Sequence, residues 1–299
     1  MQAEEKYLIC VVGPTAIGKT ALGIQLAQHF NTEIISADSR QFFKEMEIGT
    51  AVPSKEELAA AKHHFIQHIS IEQEYSVGDF EREALTKLQE LFTHHNVVIC
   101  VGGSGLYVDA LTKGLDYFPD VDPSIREDLN TKTIEELQEQ LQTLDPEYFQ
   151  KVDTQNPHRL IRALEICIGT GKPYSSFLKN KEVNRNFTTI YIGLEADRPI
   201  VYDRINRRVD IMLEAGLLDE VEDLKDKQQL NALQTVGYRE FFNYFKGEFT
   251  LDFATEEVKK NTRRFAKRQF TWFRKNKEIL WFDYQTPFKK IIQKIEEIL

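Results

Sequence analysis

An α/β fold is predicted, with a parallel sheet core flanked by helices and a mostly helical insertion. Three observations predict it. The apolar runs Tyr7 to Val12, Val97 to Val101 and Thr188 to Leu194 have the length and β-branched content of strands buried on both faces. Segments of helical period alternate with them, as crossovers between parallel strands require. From Gly114 to roughly Lys181 the sequence turns charged and helix-forming, with no strong β segment. The expected division is a core of residues 1–113 and 188–299, with basic C-terminal helices, and a helical insertion of residues 114–187.

The first run leads into Gly13-Pro14-Thr15-Ala16-Ile17-Gly18-Lys19-Thr20 and then the helix-like Ala21 to Phe30. Strand, glycine-bounded loop and helix in that order form a phosphate cradle, so the core is expected to be P-loop NTPase-like. Consecutive backbone N–H groups point at phosphate oxygens and the helix N-terminus adds partial positive charge. In such a loop Lys19 reaches a terminal phosphate and Thr20 a magnesium ion. The motif leaves open whose phosphates are held.

Glu33 to Ala37 reads as a second strand ending at Asp38-Ser39-Arg40-Gln41, where open α/β sheets place their chemistry. Asp38 is a site candidate, and equally a turn or N-cap aspartate. A polar connection follows with His63, His64 and His68. His64 and His68 could share a metal if helical, but no cysteine or H-E-x-x-H context supports that. Asp79 to His94 has helical period and leads to the strand at Val97. That strand breaks at Gly102-Gly103-Ser104-Gly105, whose glycines would permit close approach by a ligand or simply make a tight turn.

In the insertion, Thr133 to Leu144 repeats Ile134, Leu137, Leu141 and Leu144 at helical spacing, and Asn156-Pro157 starts a helix over Arg159 to Gly169. Arg159 and Arg162 share a face close to His158. Beyond the strand at Thr188, a helical segment from Arg198 to Lys225 is open to a break at Gly216. Its Arg204 and Arg208 could clamp an anion or could pair with Asp203 and Asp210. Glu278 to Asp283 reads as a last strand and Phe288 to Leu299 as a closing amphipathic helix.

The chain has 299 residues and a formal net charge of −9, which argues against binding nucleic acid by overall attraction. The charge is uneven. Lys259 to Lys277 holds nine basic residues and no acid, interleaved with Phe265, Phe270, Trp272 and Phe273, which suits a helix with a cationic stripe and packed aromatics. Cys10, Cys100 and Cys167 lie in apolar segments, as reduced buried thiols do. No apolar stretch approaches a bilayer span, and the acidic start does not read as a secretory signal. The expectations are a cytoplasmic protein with no membrane partner.

Taken in order, GPTAIGKT, Ser36 to Gln41, Met46 to Ala51, Val101 to Tyr107, Asn156 to Glu165, Val236 to Arg239 and Arg264 to Gln269 resemble the signatures of the tRNA dimethylallyltransferases. The resemblance spans nearly the whole chain. It implies transfer of the dimethylallyl group from dimethylallyl diphosphate to N6 of the adenine 3′ of the tRNA anticodon, at position 37, with diphosphate released. It implies diphosphate binding by Gly13, Pro14, Thr15, Ala16, Ile17, Gly18, Lys19, Thr20 and Arg204, with Mg2+ at Thr20. It makes Asp38, Ser104 and Arg208 catalytic. It assigns tRNA contacts to Asp38, Ser39, Arg40, Gln41, Ser104, Arg126, His158, Arg159, Leu160, Ile161 and Arg162, and the insertion to the anticodon stem-loop. A monomer of the shorter bacterial type, without a zinc-finger extension, is the expected form.

Three positions depart from the family pattern: Ser104 where threonine is common, His158 where glutamine or arginine is frequent, and Val52 where lysine is frequent. Rival readings are an adenylate prenyltransferase, a small-molecule kinase using ATP on the same loop, and a non-catalytic RNA-binding P-loop module. The insertion and the basic helix favour tRNA, because a mononucleotide needs neither.

Overall fold

The computed structural model describes residues 5–178 and 183–299. The chain divides into two compact units, one of residues up to Lys113 with Arg185–Leu299, the other Gly114–Asn184. Arg185, at the return to the first unit, donates from its guanidinium to Glu81 and, at 2.7 Å, to the carbonyl of Ala110.

The first unit begins with β1 (Tyr7–Val12), α1 (Lys19–His29), β2 (Ile34–Ser36), α2 (Lys55–Ala60), β3 (His63–His64), α3 (Val77–Leu91), β4 (Val97–Val101) and α4 (Gly105–Lys113). The second contains α5 (Pro123–Leu129), α6 (Ile134–Leu144), α7 (Pro146–Phe149) and α8 (Pro157–Thr170). The first then resumes with β5 (Thr188–Glu195), α9 (Arg198–Glu214), α10 (Leu217–Asp223), α11 (Tyr238–Phe245), α12 (Leu251–Phe273), β6 (Leu280–Asp283) and α13 (Phe288–Glu296).

The strands form one parallel sheet in the order β3-β2-β4-β1-β5-β6. Every residue of β1 is buried, which is why its sequence is an unbroken apolar run and not an alternation. Tyr7, Ile9 and Val11 pack with α1, α9 and α13 on one face. Leu8, Cys10 and Val12 pack with α3 and α4 on the other. The chain leaves β1 for β2 on one side and crosses from β4 to β5 on the other. The carboxyl ends of β1, β2 and β4 therefore flank the crevice where such sheets bind ligands.

The break at Gly216 is real. It adopts φ 99° between α9 and α10, a region glycine enters without steric cost. His63 and His64 form a short strand, so the helical spacing needed for a shared metal does not exist. His64 instead binds Glu33 at 2.5 Å. The three cysteines are buried and free.

In the second unit the helix starts follow side-chain caps. Thr133 and Glu136 make a capping box, and Asn156 accepts from Arg159 N–H ahead of Pro157. Leu129, Leu137, Leu141, Leu160, Ile161 and Leu164 form its core.

Candidate active site

The loop between β1 and α1 is held from several sides. Gly13 has φ 141°, Gly18 φ 112° and Ala16 φ 63°, the last a conformation that costs a residue with a Cβ. Arg204 Nε donates to the carbonyl of Ala16 at 2.7 Å, and Thr15 N–H donates to Gln269 Oε1 at 2.8 Å. Lys19 Nζ donates to Pro14 O at 2.7 Å. Burial pushes the Lys19 ammonium down to about 8, Asp38 opposing the shift and Arg208 adding to it. A cation kept at this cost is poised for an anion.

The loop, with Asp38, Gln41, Glu57, Gly102, Gly103 and Arg208, encloses a cavity of ≈ 180 Å³. Next to it lies a larger cavity of ≈ 370 Å³. Thr15, Asp38, Thr50, Ala51 and Arg208 line both, so Asp38 and Arg208 stand at the junction. The larger space has apolar walls from Ile205, Val209, Met212, Leu217 and Val258, and a cationic side from Arg40, Arg239 and Arg268.

Asp38 is also a turn aspartate, its Oδ1 accepting Arg40 N–H at 3.0 Å. The next residue is fixed from the turn after β4: Ser39 N–H donates to Ser104 Oγ at 3.1 Å, and the two hydroxyls lie 3.1 Å apart. Ser104 lines neither cavity. Gly102 and Gly103 line the smaller cavity, and each also lets protein groups come close. A Cβ on Gly102 would meet Ala37 O at 2.5 Å, and one on Gly103 would meet Gln269 Nε2 at 2.4 Å. The turn is tight, as one reading of it expects, and it also faces the cavity of the phosphate loop, so a ligand there would lie against its backbone.

The two readings of the arginine pair are separated by their neighbours. Asp203 pairs with Arg207 at 3.0 Å and Asp210 with Lys259 at 2.8 Å, leaving neither for Arg204 or Arg208. Arg204 braces the loop through Ala16, while Arg208 reaches the cavities. Burial, then the neighbouring Arg204, lowers the Arg208 pKa, with Glu57 and Asp38 opposing.

A phosphate loop with a carboxylate at the junction between its cavity and a larger, partly apolar one narrows the reading, and comparison decides it. The family model described as IPP transferase matches residues 41–276. A tRNA dimethylallyltransferase of Flavobacterium johnsoniae is 62% identical over 98% of both chains, and one of Christiangramia forsetii is 62% identical over 97% of both. The chain belongs to the tRNA dimethylallyltransferase family. A crystal structure of tRNA isopentenylpyrophosphate transferase from Bacillus halodurans has a TM-score of 0.73 at 36% identity, covering 98% of this chain and 95% of that one. A eukaryotic dimethylallyltransferase crystallised acting on tRNA has a TM-score of 0.82 at 27% identity, covering 94% of this chain and 75% of that one.

The tRNA contacts that family likeness assigned fall into two groups. Asp38, Ser39 and Arg40 line the larger cavity and Gln41 the smaller one. Arg40 Nη1 also donates to the carbonyls of Asn231 and Ala232 at 2.9 and 3.0 Å, and Gln41 Nε2 to Ala51 O at 2.8 Å. In the second unit, Arg126 and Arg162 each bind one oxygen of the buried Glu165 carboxylate, and Arg162 stacks over Phe118. His158 and Arg159 are exposed. Leu160 and Ile161 are not available as side-chain contacts: they are 0% and 7% exposed, packed in the helical core. Helical period turns these two inward while Arg159 and Arg162 turn out.

The basic run lies on α12 and its continuation, but Lys259 and Lys260 are paired with acids. Arg264, Lys267, Arg268 and Lys275 are exposed. The aromatics divide: Phe273 is buried, whereas Phe265 and Trp272 are each 37% exposed on the cationic side. Arg239 and Gln269 lie in segments that carry the family resemblance, which assigns neither a role, and Glu57 lies outside those segments. Gln269 is unmarked because its partners, Thr15 and Gly103, lie far away in the chain, whereas Glu57 shows in the sequence only as the capping-box partner of Ser54.

Proposed function

We propose that this protein transfers the dimethylallyl group from dimethylallyl diphosphate to N6 of the adenine 3′ of the anticodon in tRNA. The observation that carries it is Asp38 at the junction of the phosphate-loop cavity and the larger, partly apolar one. In this reading the diphosphate occupies the smaller cavity and the prenyl group and adenine meet in the larger.

The reaction separates charge. The bond from the allylic carbon to the diphosphate oxygen breaks, the N6–carbon bond forms, and N6 loses a proton. Loop amides, Lys19 and Arg208 would stabilise the negative charge growing on the leaving group. An exocyclic amine is too weak an acid to be deprotonated beforehand by a carboxylate of ordinary pKa, about 4. Asp38 would orient the amine and take its proton as the new bond forms. Ser104 would position Ser39 and the Asp38 turn, which refines its expected catalytic role.

Among the described residues no cluster of three or more His, Cys, Asp or Glu side chains could hold a metal. Magnesium, which commonly binds through one or two protein oxygens and substrate phosphates, would fit Thr20 with Asp38 nearby. When bound it would neutralise diphosphate charge. The adenine must leave its stack to reach the cavity, and the exposed cations of α12 and α8 would hold the backbone in a salt-dependent way. Buried free thiols support a reducing, cytoplasmic setting.

The test is incubation of purified protein with unmodified tRNA, dimethylallyl diphosphate and magnesium, followed by nucleoside mass analysis. N6-isopentenyladenosine is the expected product. ATP turnover without prenyl transfer would favour a kinase, and tRNA binding without a mass gain would favour a binding module.

A further inference from the structure

Gln269 lies on the inward side of α12, 5% exposed, between Arg268 and Phe270. Its carboxamide makes two bonds to different loops. Oε1 accepts Thr15 N–H at 2.8 Å, and Nε2 donates to Gly103 O at 2.9 Å. Thr15 belongs to the phosphate loop. Gly103 precedes Ser104, whose hydroxyl receives the N–H of Ser39 beside Asp38. One side chain thus ties the loop that would hold the leaving group to the loop that would set the acceptor carboxylate.

Two details make this more than a packing contact. The Thr15 N–H is taken by Gln269, so it is bonded away from the cradle and the loop is held from outside. Gly103 can approach the amide only because it lacks a Cβ, which would come within 2.4 Å of Nε2 and 3.6 Å of Lys19 Nζ. The same helix presents Phe265 and Arg268 to the larger cavity. A load placed on those residues by bound RNA therefore acts on the helix that fixes the spacing of the reacting groups.

We propose that Gln269 is a positioning residue: it sets the phosphate loop against the Gly103–Ser104 turn, and so the diphosphate against Asp38, without touching substrate. The proposal rests on the prenyl-transfer reading. Reacting atoms must be held within a fraction of an ångström of productive geometry, so losing this tie should slow chemistry more than binding.

The experiment compares wild type with Gln269→Met, which keeps volume and removes both hydrogen bonds. Single-turnover prenylation of tRNA, dissociation constants for tRNA and for inorganic diphosphate with magnesium, and thermal midpoints are measured. The expected result is a turnover rate about 10- to 100-fold lower with both dissociation constants within about threefold. If Met does not fold, Gln269→Asn serves in the same assay, since a carboxamide one methylene shorter cannot span both loops. An unchanged rate per folded molecule overturns the proposal. So does a loss wholly in diphosphate affinity, which would make Gln269 a brace of the binding loop alone. Absence of prenyl transfer by wild type would instead refute the underlying function.

Discussion

Arg204 donates from Nε to the carbonyl of Ala16 over 2.7 Å, and its guanidinium lies 5.2 Å from the ring centre of Tyr284. Ala16 is held at φ 63°, so the bond pins a residue that would otherwise relax. Arg204→Ala is expected to weaken diphosphate binding by about tenfold, through loss of one charge-assisted hydrogen bond and a nearby cation. Calorimetric titration with inorganic diphosphate checks this. Full retention of affinity would place the arginine outside the loop's support.

Asp38→Asn keeps the Oδ1 acceptor for the Arg40 N–H and removes the charge and the base. The rate of prenyl transfer should fall by about 10² or more while tRNA affinity changes by less than about threefold. Single-turnover kinetics beside a filter-binding isotherm separate the two. A rate equal to wild type would remove Asp38 from proton transfer.

Lys19 gives the site a pH signature. Its folded-state pKa is about 8, below the ordinary 10.5. The unfolded chain therefore binds more protons than the free enzyme between those values, and stability from this group rises with pH across that window. Diphosphate favours the charged amine, so the part of its affinity that depends on Lys19 should be flat below pH 8 and fall by at most about tenfold per unit above it, over and above the titration of diphosphate itself. Lys19→Met should abolish that pH dependence, weaken diphosphate binding and raise the thermal midpoint of the free protein. A lowered midpoint would mean that the buried charge stabilises the loop.

The His68 ring lies among Phe42, Phe65 and Tyr75 at centroid distances of 5.3 to 5.5 Å, with neither ring nitrogen hydrogen-bonded among the described residues. Burial lowers its pKa, Lys44 adding and Glu83, 4.0 Å away, opposing. The unfolded imidazole then takes up its proton first as pH falls, so stability should drop below about pH 6.5. His68→Phe should flatten the slope of thermal midpoint between pH 7 and 5. An unaltered slope would assign acid sensitivity to other groups.

The sheet and its phosphate loop are legible in the sequence because their signals are local. Tyr7 to Val12 is an apolar run, and Gly13 to Thr20 has its glycines and lysine at fixed offsets. β3 is not legible, since two histidines carry no periodicity and pair only because Ile34 and Ile35 lie alongside. The supports of the site are also hidden. Glu220 accepts the N–H groups of Glu47, Ile48 and Gly49 and the Tyr238 hydroxyl, fixing the segment that brings Thr50 and Ala51 to both cavities. Nothing near Glu220 in the chain announces partners so far away. Gln269 is hidden for the same reason, its hydrogen bonds being to main chain that only folding brings near, and so is the tie from Arg40 to the carbonyls of Asn231 and Ala232, though Arg40 itself is a candidate by family resemblance.

Arg159 and Leu160 are neighbours in α8 with opposite fates, and their variants should separate binding from stability. Arg159 is exposed at the helix start, whereas Leu160 is fully buried against Leu137, Leu141 and Leu164. Arg159→Ala should leave the fold intact, weaken tRNA binding and reduce the slope of log affinity against log salt by about one, as the loss of one phosphate contact requires. Leu160→Ala should instead cost about 2–5 kcal/mol in the helical unit by opening a cavity. Its tRNA affinity would then fall only as that unit unfolds, so hydrogen exchange over Pro157–Thr170 and the binding loss should move together with temperature. A Leu160 variant that keeps full exchange protection yet loses tRNA affinity would return this leucine to the RNA surface.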